Sequence, residues 1–204
     1  MAPGNSIGTL SVSGNFTNSG GAYLAEVAGN GQGDLINVGG RAVLQGGSVN
    51  VYAQPSTTFG ARTTWRILNA AGGVSGTFAA VNELYPFLQS SLSYDANNVY
   101  LTLEIGGFAA AAATPTQWAV GNVLDASVNS ATGDFAQVLS AMATGVQSSA
   151  SAQYVLQQLS GNNYAGFASA MCPRLRPARA RRFKKWAQGV RKMRLARSSR
   201  IPAD

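Results

Sequence analysis

The segment closest to a catalytic motif lies near the start of the chain, where Gly4-Asn5-Ser6-Ile7-Gly8 matches the G-x-S-x-G pattern of a nucleophile elbow. A serine nucleophile of this kind needs a preceding strand, a following helix and a histidine base, and the 204-residue sequence contains no histidine. Cys172 is the single cysteine of the sequence, so an intrachain disulfide and a Cys-rich zinc site are both excluded. We therefore assign no catalytic role to Ser6.

The remaining polar and aromatic residues also favour structural roles. Residues 29–34 (GNGQGD) predict a turn with Asp34 as a capping residue, because no helix follows as a nucleotide-binding loop requires. The carboxylates are scattered along the sequence and form no obvious acid pair. We predict no catalytic, cofactor-binding or metal-ligating residue, no cofactor and no small-molecule substrate. The aromatic residues predicted to lie in a core, not on a sugar-binding surface, are Trp65, Phe78, Tyr85, Phe87 and Tyr94.

Charge is divided unevenly along the chain, although the net charge is +7. Residues 1–171 carry three arginines against seven carboxylates, a net charge of −4, whereas residues 172–204 carry twelve Lys or Arg against one Asp, a net charge of +11. Attraction to nucleic acid or to an anionic membrane is therefore a property of the tail alone.

Short strands are predicted over residues 7–105. Apolar and polar residues alternate, for example along residues 98–104 (NVYLTLE), and Gly-rich or Asn-rich turns separate the runs. Two architectures fit this pattern, a short right-handed parallel β-helix end and a β-sandwich. The very short runs at residues 35–38, 42–45 and 49–52, joined by minimal corners, favour the β-helix, because hairpins usually allow longer strands.

The pattern changes after residue 105, and it predicts three further segments. Residues 106–113 form a Gly/Ala linker, and residues 114–171 form a helical segment. In that segment Thr114 with Gln117 forms a capping box, Asp134 caps a second helix, and a third runs from about Ser151 to Leu159. Residues 172–204 form a basic tail. The second helix is predicted to bury an apolar stripe, whose members are Phe135, Val138, Leu139, Met142 and Val146.

Four stretches, in this order, resemble the passenger end and the pre-barrel segment of bacterial autotransporters, which use type V secretion. Residues 2–10 (APGNSIGTL) are similar to the passenger-end motif, and residues 33–51 resemble the passenger-associated repeat. Residues 114–125 (TPTQWAVGNVLD) and 156–165 (LQQLSGNNYA) resemble the segment that leads into the translocator. Together these stretches extend over residues 2–171.

The resemblance implies a truncated, non-catalytic structural piece of an autotransporter and no enzyme. In that family the β-helical end of the passenger supports passenger folding at the cell surface, and the following segment connects to a β-barrel in the outer membrane. That barrel is the partner the family implies, and we do not recognise its strands here. Residues 1–6 lack the basic and apolar regions of a signal peptide, so a cytoplasmic location is expected for the sequence as it stands.

The basic tail has two open interpretations. It is either an out-of-frame stretch, disordered or helical, or a basic amphipathic helix with Phe183, Trp186, Val190 and Met193 at helical spacing. The second interpretation gives an alternative function, in which the tail docks the protein on anionic membrane or nucleic acid.

Overall fold

Strands occupy the first part of the chain and helices follow them. A computed structural model of the protein describes residues 1–4 and 6–161, and all structural statements concern these residues. The strands are β1 (Thr9–Val12), β2 (Phe16–Asn18), β3 (Ala22–Val27), β4 (Leu35–Val38), β5 (Ala42–Gln45), β6 (Ser48–Ala53), β7 (Arg62–Ala70), β8 (Val74–Thr77), β9 (Ala80–Asn82), β10 (Leu88–Tyr94) and β11 (Asn98–Ile105). The helices are α1 (Pro115–Ser127), α2 (Gly133–Gly145) and α3 (Ser149–Leu159), with a 3-10 turn at Val128–Ser130.

The first nine strands visit three sheets in a fixed rotation. The sheet orders are β1-β4-β7-β11-β10, β2-β5-β8 and β3-β6-β9, so each set of three consecutive strands places one strand in each sheet. We call these sets the first layer (β1–β3), the second layer (β4–β6) and the third layer (β7–β9). Every pair of strands between layers is parallel.

The register between layers is the same in all three sheets. Between the first and second layers, residue partners are 26 positions apart, as in Thr9 with Leu35, Phe16 with Ala42 and Ala22 with Ser48. Between the second and third layers the offset is 32, and it too is constant from sheet to sheet. The six additional residues therefore lie in the connection between β6 and β7, not in the corners within a layer.

Alternation of side chains explains why these strands close around a core. Along β4 and β6, every second residue is buried, and its neighbours are more exposed. Ile36, Val49 and Ile67 are fully buried, one from each of three strands, and belong to a single apolar cluster. That cluster continues into the helices through Leu139 and Leu156.

The corners between strands repeat the same backbone contacts from layer to layer. At the first corner, Gly40 N–H donates to Gly14 O at 3.0 Å, and Gly72 N–H donates to Gly40 O at 2.9 Å. A Cβ atom on Gly72 would lie 2.9 Å from the carbonyl carbon of Gly40, so this close approach requires glycine. The glycines of the sequence pattern therefore mark places where one layer lies directly on the next.

An antiparallel hairpin follows the third layer. β10 pairs with β11, and β11 pairs with β7 with a register shift between Val99 and Tyr100. The turn of this hairpin reaches over the third layer, where Val74 N–H donates to Ala96 O at 2.8 Å and Ala70 N–H donates to Asn97 O at 2.8 Å.

The helix starts agree with the sequence at one position and differ at another. Thr114 caps α1, and both hydrogen bonds of the capping box with Gln117 are present, as predicted. The prediction that Asp134 caps α2 is wrong. The N-cap is Thr132, which makes no side-chain cap bond, and Asp134 lies in the first turn, where its charge favours the helix N-terminus.

The predicted apolar stripe of α2 is also partly wrong. Leu139 and Val146 are buried, but Phe135 is 44% exposed and Val138 is 51% exposed. Ser140 lies on the buried face of the helix, and its hydroxyl accepts a hydrogen bond from Phe59 N–H at 2.7 Å. The buried face of α2 therefore includes polar residues that the apolar stripe did not predict.

The structure confirms a mainly β fold followed by helices. The part of the predicted helical segment beyond residue 161 and the basic tail 172–204 lie outside the described residues. The boundaries predicted between 105 and 106, 113 and 114, and 171 and 172 stay predictions.

Candidate functional site

The serine of the elbow-like motif lies in an exposed bend. Ser6 precedes β1 by three residues, so the motif leads into a strand and not from a strand into a helix. A nucleophile elbow requires the opposite order. The geometry around Ser6 is therefore that of a chain entering the first layer.

Asp34 is a buried carboxylate that binds backbone groups. Its side chain accepts hydrogen bonds from Gly8 N–H at 2.8 Å and from Glu26 N–H at 3.0 Å, and the residue is 1% exposed. Tyr23 donates to the Asp34 carbonyl and to the Ile67 carbonyl, each at 3.2 Å. Asp34 thus links backbone groups on either side of the first layer, and both groups lie outside the turn at residues 29–34 that it was predicted to cap.

Buried tyrosine hydroxyls bind backbone groups of the layers. Tyr85 accepts from Ala53 N–H at 3.2 Å, and Tyr94 accepts from Phe78 N–H at 3.1 Å. Burial raises the pKa of Tyr23, Tyr85 and Tyr94 above its usual value of 10, and the charge of Asp34 contributes at Tyr23. These hydroxyls therefore stay neutral donors or acceptors.

The aromatic residues predicted for the core lie there. Trp65, Phe78, Tyr85 and Phe87 are buried, and Tyr94 is half-buried against the core. Trp65 also donates its indole N–H to Ala28 O at 3.1 Å. Four of these five rings are therefore enclosed, and Tyr94 packs against the same core.

The acidic residues serve separate local contacts. Glu104 pairs with Arg62 at 3.0 Å on the surface, and the Ser90 hydroxyl donates to Glu83. Asp95 accepts from Asn97 N–H and Asn98 N–H in the β10–β11 turn, and the Asn97 bond is the main cause of its lowered pKa. No group of three potential ligands close enough to hold a metal ion occurs among the residues described.

The contact between sheets and helices is the site that sequence reasoning missed. The Asp125 carboxylate on α1 accepts from Phe108 N–H at 3.1 Å and from Ala109 N–H at 3.0 Å. Phe108 is fully buried, and its ring lies 4.6 Å from that of Phe87, centroid to centroid. We call Phe87, Phe108, Ala109 and Asp125 the junction. Its carboxylate and amide donors are 16 and 17 residues apart, too far for a local capping pattern to identify.

A buried glutamine links two of the helices. Gln117 accepts from Ala113 N–H and Thr114 N–H through its side-chain oxygen, and its side-chain amide donates to Gln153 O at 3.0 Å. The same residue that closes the α1 capping box thus holds α3 against α1. The sequence identified the first role and gave no signal for the second.

Two cavities lie beside this helical part. An open cleft of about 350 Å³ lies between the β9–β10 connection and the α2–α3 connection, with Glu83, Leu84 and Ser149 among its lining. A smaller cavity of about 130 Å³ is lined mostly by apolar residues, including Phe59, Ile105 and Leu139.

The helices of the described part include none long and apolar enough to cross a membrane. No protein-family model matches the chain. The chain is 36% identical over 136 residues to a protein named extracellular serine protease from Serratia marcescens. The match includes 61% of this chain and 13% of the relative, so the chain spans a small part of the relative's length.

This match corrects one prediction. The sequence predicted that the chain is no enzyme, whereas its relative is named as a serine protease. The relative is named as extracellular, whereas the sequence as it stands led us to expect a cytoplasmic location.

Proposed function

We propose that residues 1–161 form the β-helical end of an autotransporter passenger at the cell surface, and that the helices connect it to an outer-membrane translocator. The observation that carries the proposal is the constant register of the layers. Offsets of 26 and then 32 residues hold in all three sheets. A chain that winds around one axis gives such offsets, whereas a sandwich of antiparallel hairpins does not.

The energetics support a stacking role. Each layer presents buried apolar residues to the next, and burial contributes about 25 cal/mol per Å² of apolar surface. A layer alone cannot enclose its inner face, so each layer is stabilised by its neighbour. Such a stack supports a chain that folds onto it layer by layer.

The junction supports the connecting role. Asp125, with the buried Phe108, fixes α1 directly to the connection that leaves β11, and Ser140 fixes α2 to the β6–β7 connection. The order of the autotransporter-like stretches and the match to an extracellular protein support the same interpretation.

A display experiment tests this function. Residues 1–171 are placed between a secreted reporter and an outer-membrane barrel, and surface reporter is measured by flow cytometry. We expect Ile36→Asp to abolish display, because Ile36 is fully buried between layers, and Asn37→Asp to retain it, because Asn37 is exposed on the same strand. Equal display by the two variants would contradict the proposal.

The basic tail supports a second proposal, because residues 172–204 carry a net charge of +11 on a body of net charge −4. In that function the tail binds anionic membrane or nucleic acid, and binding weakens steeply with salt. Deletion of residues 172–204 is expected to abolish binding to anionic vesicles and to DNA. Unchanged binding after the deletion would contradict this function.

A further inference from the structure

The smaller of the two cavities lies where the sheets meet the helices, and buried apolar side chains form its floor. Phe59 comes from the β6–β7 connection, and Ile105 ends β11. Val128 begins the 3-10 turn, and Leu139 lies on α2. Each of these four residues is at most 7% exposed. Four separate parts of the fold therefore enclose one space, which we call the apolar cavity.

The backbone donors around this floor already have partners within the protein. Phe59 N–H donates to the Ser140 hydroxyl at 2.7 Å, and Ile105 N–H donates to Ala61 O at 2.9 Å. A buried water typically makes about three hydrogen bonds to polar groups that would otherwise be unsatisfied. Because these donors are occupied, an apolar molecule suits the floor better than water does.

The rim of the apolar cavity is small and uncharged. Gly60 and Asn129 are exposed, and the rim is completed by three half-buried alanines. None of the described residues that line the cavity has a charged side chain. A charged ligand would lose its hydration here without gaining an ion pair, so the lining favours a neutral ligand. The three alanines are Ala61, Ala131 and Ala136.

The volume of the apolar cavity limits the size of that ligand. It measures about 130 Å³, and an apolar cavity of about 150 Å³ accommodates a molecule of the size of benzene. An empty space of this kind forfeits the close contacts that protein interiors normally make, and a ligand would restore them.

We propose that the apolar cavity is a binding site for a small neutral molecule with a single apolar ring. Such a ligand contacts the β6–β7 connection, the end of β11 and α2 at the same time. Its binding therefore stabilises the contact between the sheets and α2, in addition to the hydrogen bond from Phe59 to Ser140.

Urea unfolding of the full chain with increasing benzene tests the proposal. We expect benzene to raise the urea midpoint, because only the folded state offers the cavity. Ala136→Leu extends a side chain from the rim into the cavity and should weaken benzene binding about tenfold or more. Ala141→Leu makes the same exchange at an exposed position of the same helix and should leave benzene binding unchanged.

Nuclear Overhauser effects locate the ligand directly and do not depend on the folding of a variant. We expect them between benzene and the methyl groups of Ile105, Val128 and Leu139. A urea midpoint that does not rise with benzene, or equal benzene binding by Ala136→Leu and Ala141→Leu, would overturn the proposal. Effects at Leu84 in the open cleft instead of these methyl groups would also overturn it, because benzene would then bind elsewhere.

Discussion

The two ends of the layered sheets differ in the hydrogen-bond partners of their backbone N–H and C=O groups. At the third layer, Val74 N–H bonds to the β10–β11 turn and Phe78 N–H bonds to the Tyr94 hydroxyl. At the first layer, Thr9 and Ser11 direct backbone groups away from every other described strand. We call these the closed end and the open end. Parallel pairing leaves a sheet edge at each end, and this chain covers one of the two edges with a hairpin, tyrosines and helices.

The largest difference between the ends is expected from removing a phenylalanine ring. Phe108→Ala at the closed end should lower the free energy of unfolding by about 3–5 kcal/mol, because the ring is fully buried against Phe87. Phe16→Ala at the open end should cost about 1 kcal/mol, because its ring is half-buried. Urea unfolding followed by circular dichroism measures both, and equal losses would remove the distinction between the ends.

Proline substitutions at two register partners compare the backbone hydrogen bonds of the first and second layers. Asn37→Pro in the second layer removes an internal ladder bond and should cost about 3 kcal/mol or more. Ser11→Pro, at the partner position in the first layer, removes none and should change monomer stability by less than about 1 kcal/mol. The comparison is made by urea unfolding followed by circular dichroism. A large loss for Ser11→Pro would mean that its N–H has an internal partner.

Removing a carboxylate should lower the free energy of unfolding by more similar amounts at the two ends. Asp125→Ala at the closed end and Asp34→Ala at the open end each leave two backbone N–H groups without their acceptor, at a cost of about 1–3 kcal/mol. Asp134→Ala, in an exposed first turn, is the matched control and should cost about 0.5 kcal/mol. If Asp125→Ala has no effect on urea unfolding, the junction does not hold the helices to the sheets.

The smallest effect is expected from tyrosine hydroxyls at high pH. Because burial raises the pKa of Tyr85 and Tyr94 at the closed end, the folded state holds these protons more tightly than the unfolded state. Their contribution to stability is fully present below pH 10 and is lost as pH rises through the raised folded pKa. The double variant Tyr85→Phe with Tyr94→Phe should flatten the alkaline loss of the urea midpoint. An alkaline loss of the same size in the double variant would contradict this origin.

The strands could be predicted from local pattern because alternation and glycine turns are local features. The sequence predicted strands at 35–38 and 42–45, and β4 and β5 occupy those residues. The constant offsets between register partners in successive layers could not be predicted from the sequence. The corners use different residues in each layer, and the longer β6–β7 connection changes the spacing from 26 to 32.

The junction could not be predicted because its partners are distant and polar. Phe59 N–H bonds to the Ser140 hydroxyl 81 positions away, and Ser140 lies on the buried face of α2 while Phe135 and Val138 are exposed. The periodicity of apolar residues predicts which face of a helix is buried. It gives no information on whether a hydroxyl of that helix binds an N–H group of a distant loop. The N-cap role of Thr114 could be predicted because its capping partner Gln117 is three residues away.

Paired cysteines across the second and third layers test whether one winding chain builds all three sheets. In a Cys172→Ser background, three outward-facing pairs are replaced, one in each sheet: Asn37 with Asn69, Val43 with Ser75, and Asn50 with Asn82. Each pair is 32 positions apart, and a single winding chain brings all three within disulfide reach. We expect rapid oxidation of all three pairs, and slow oxidation of the control pair Asn50 with Ala80, which is displaced by two residues. Oxidation in one sheet but not in the other two, or equal rates for the control, would contradict it.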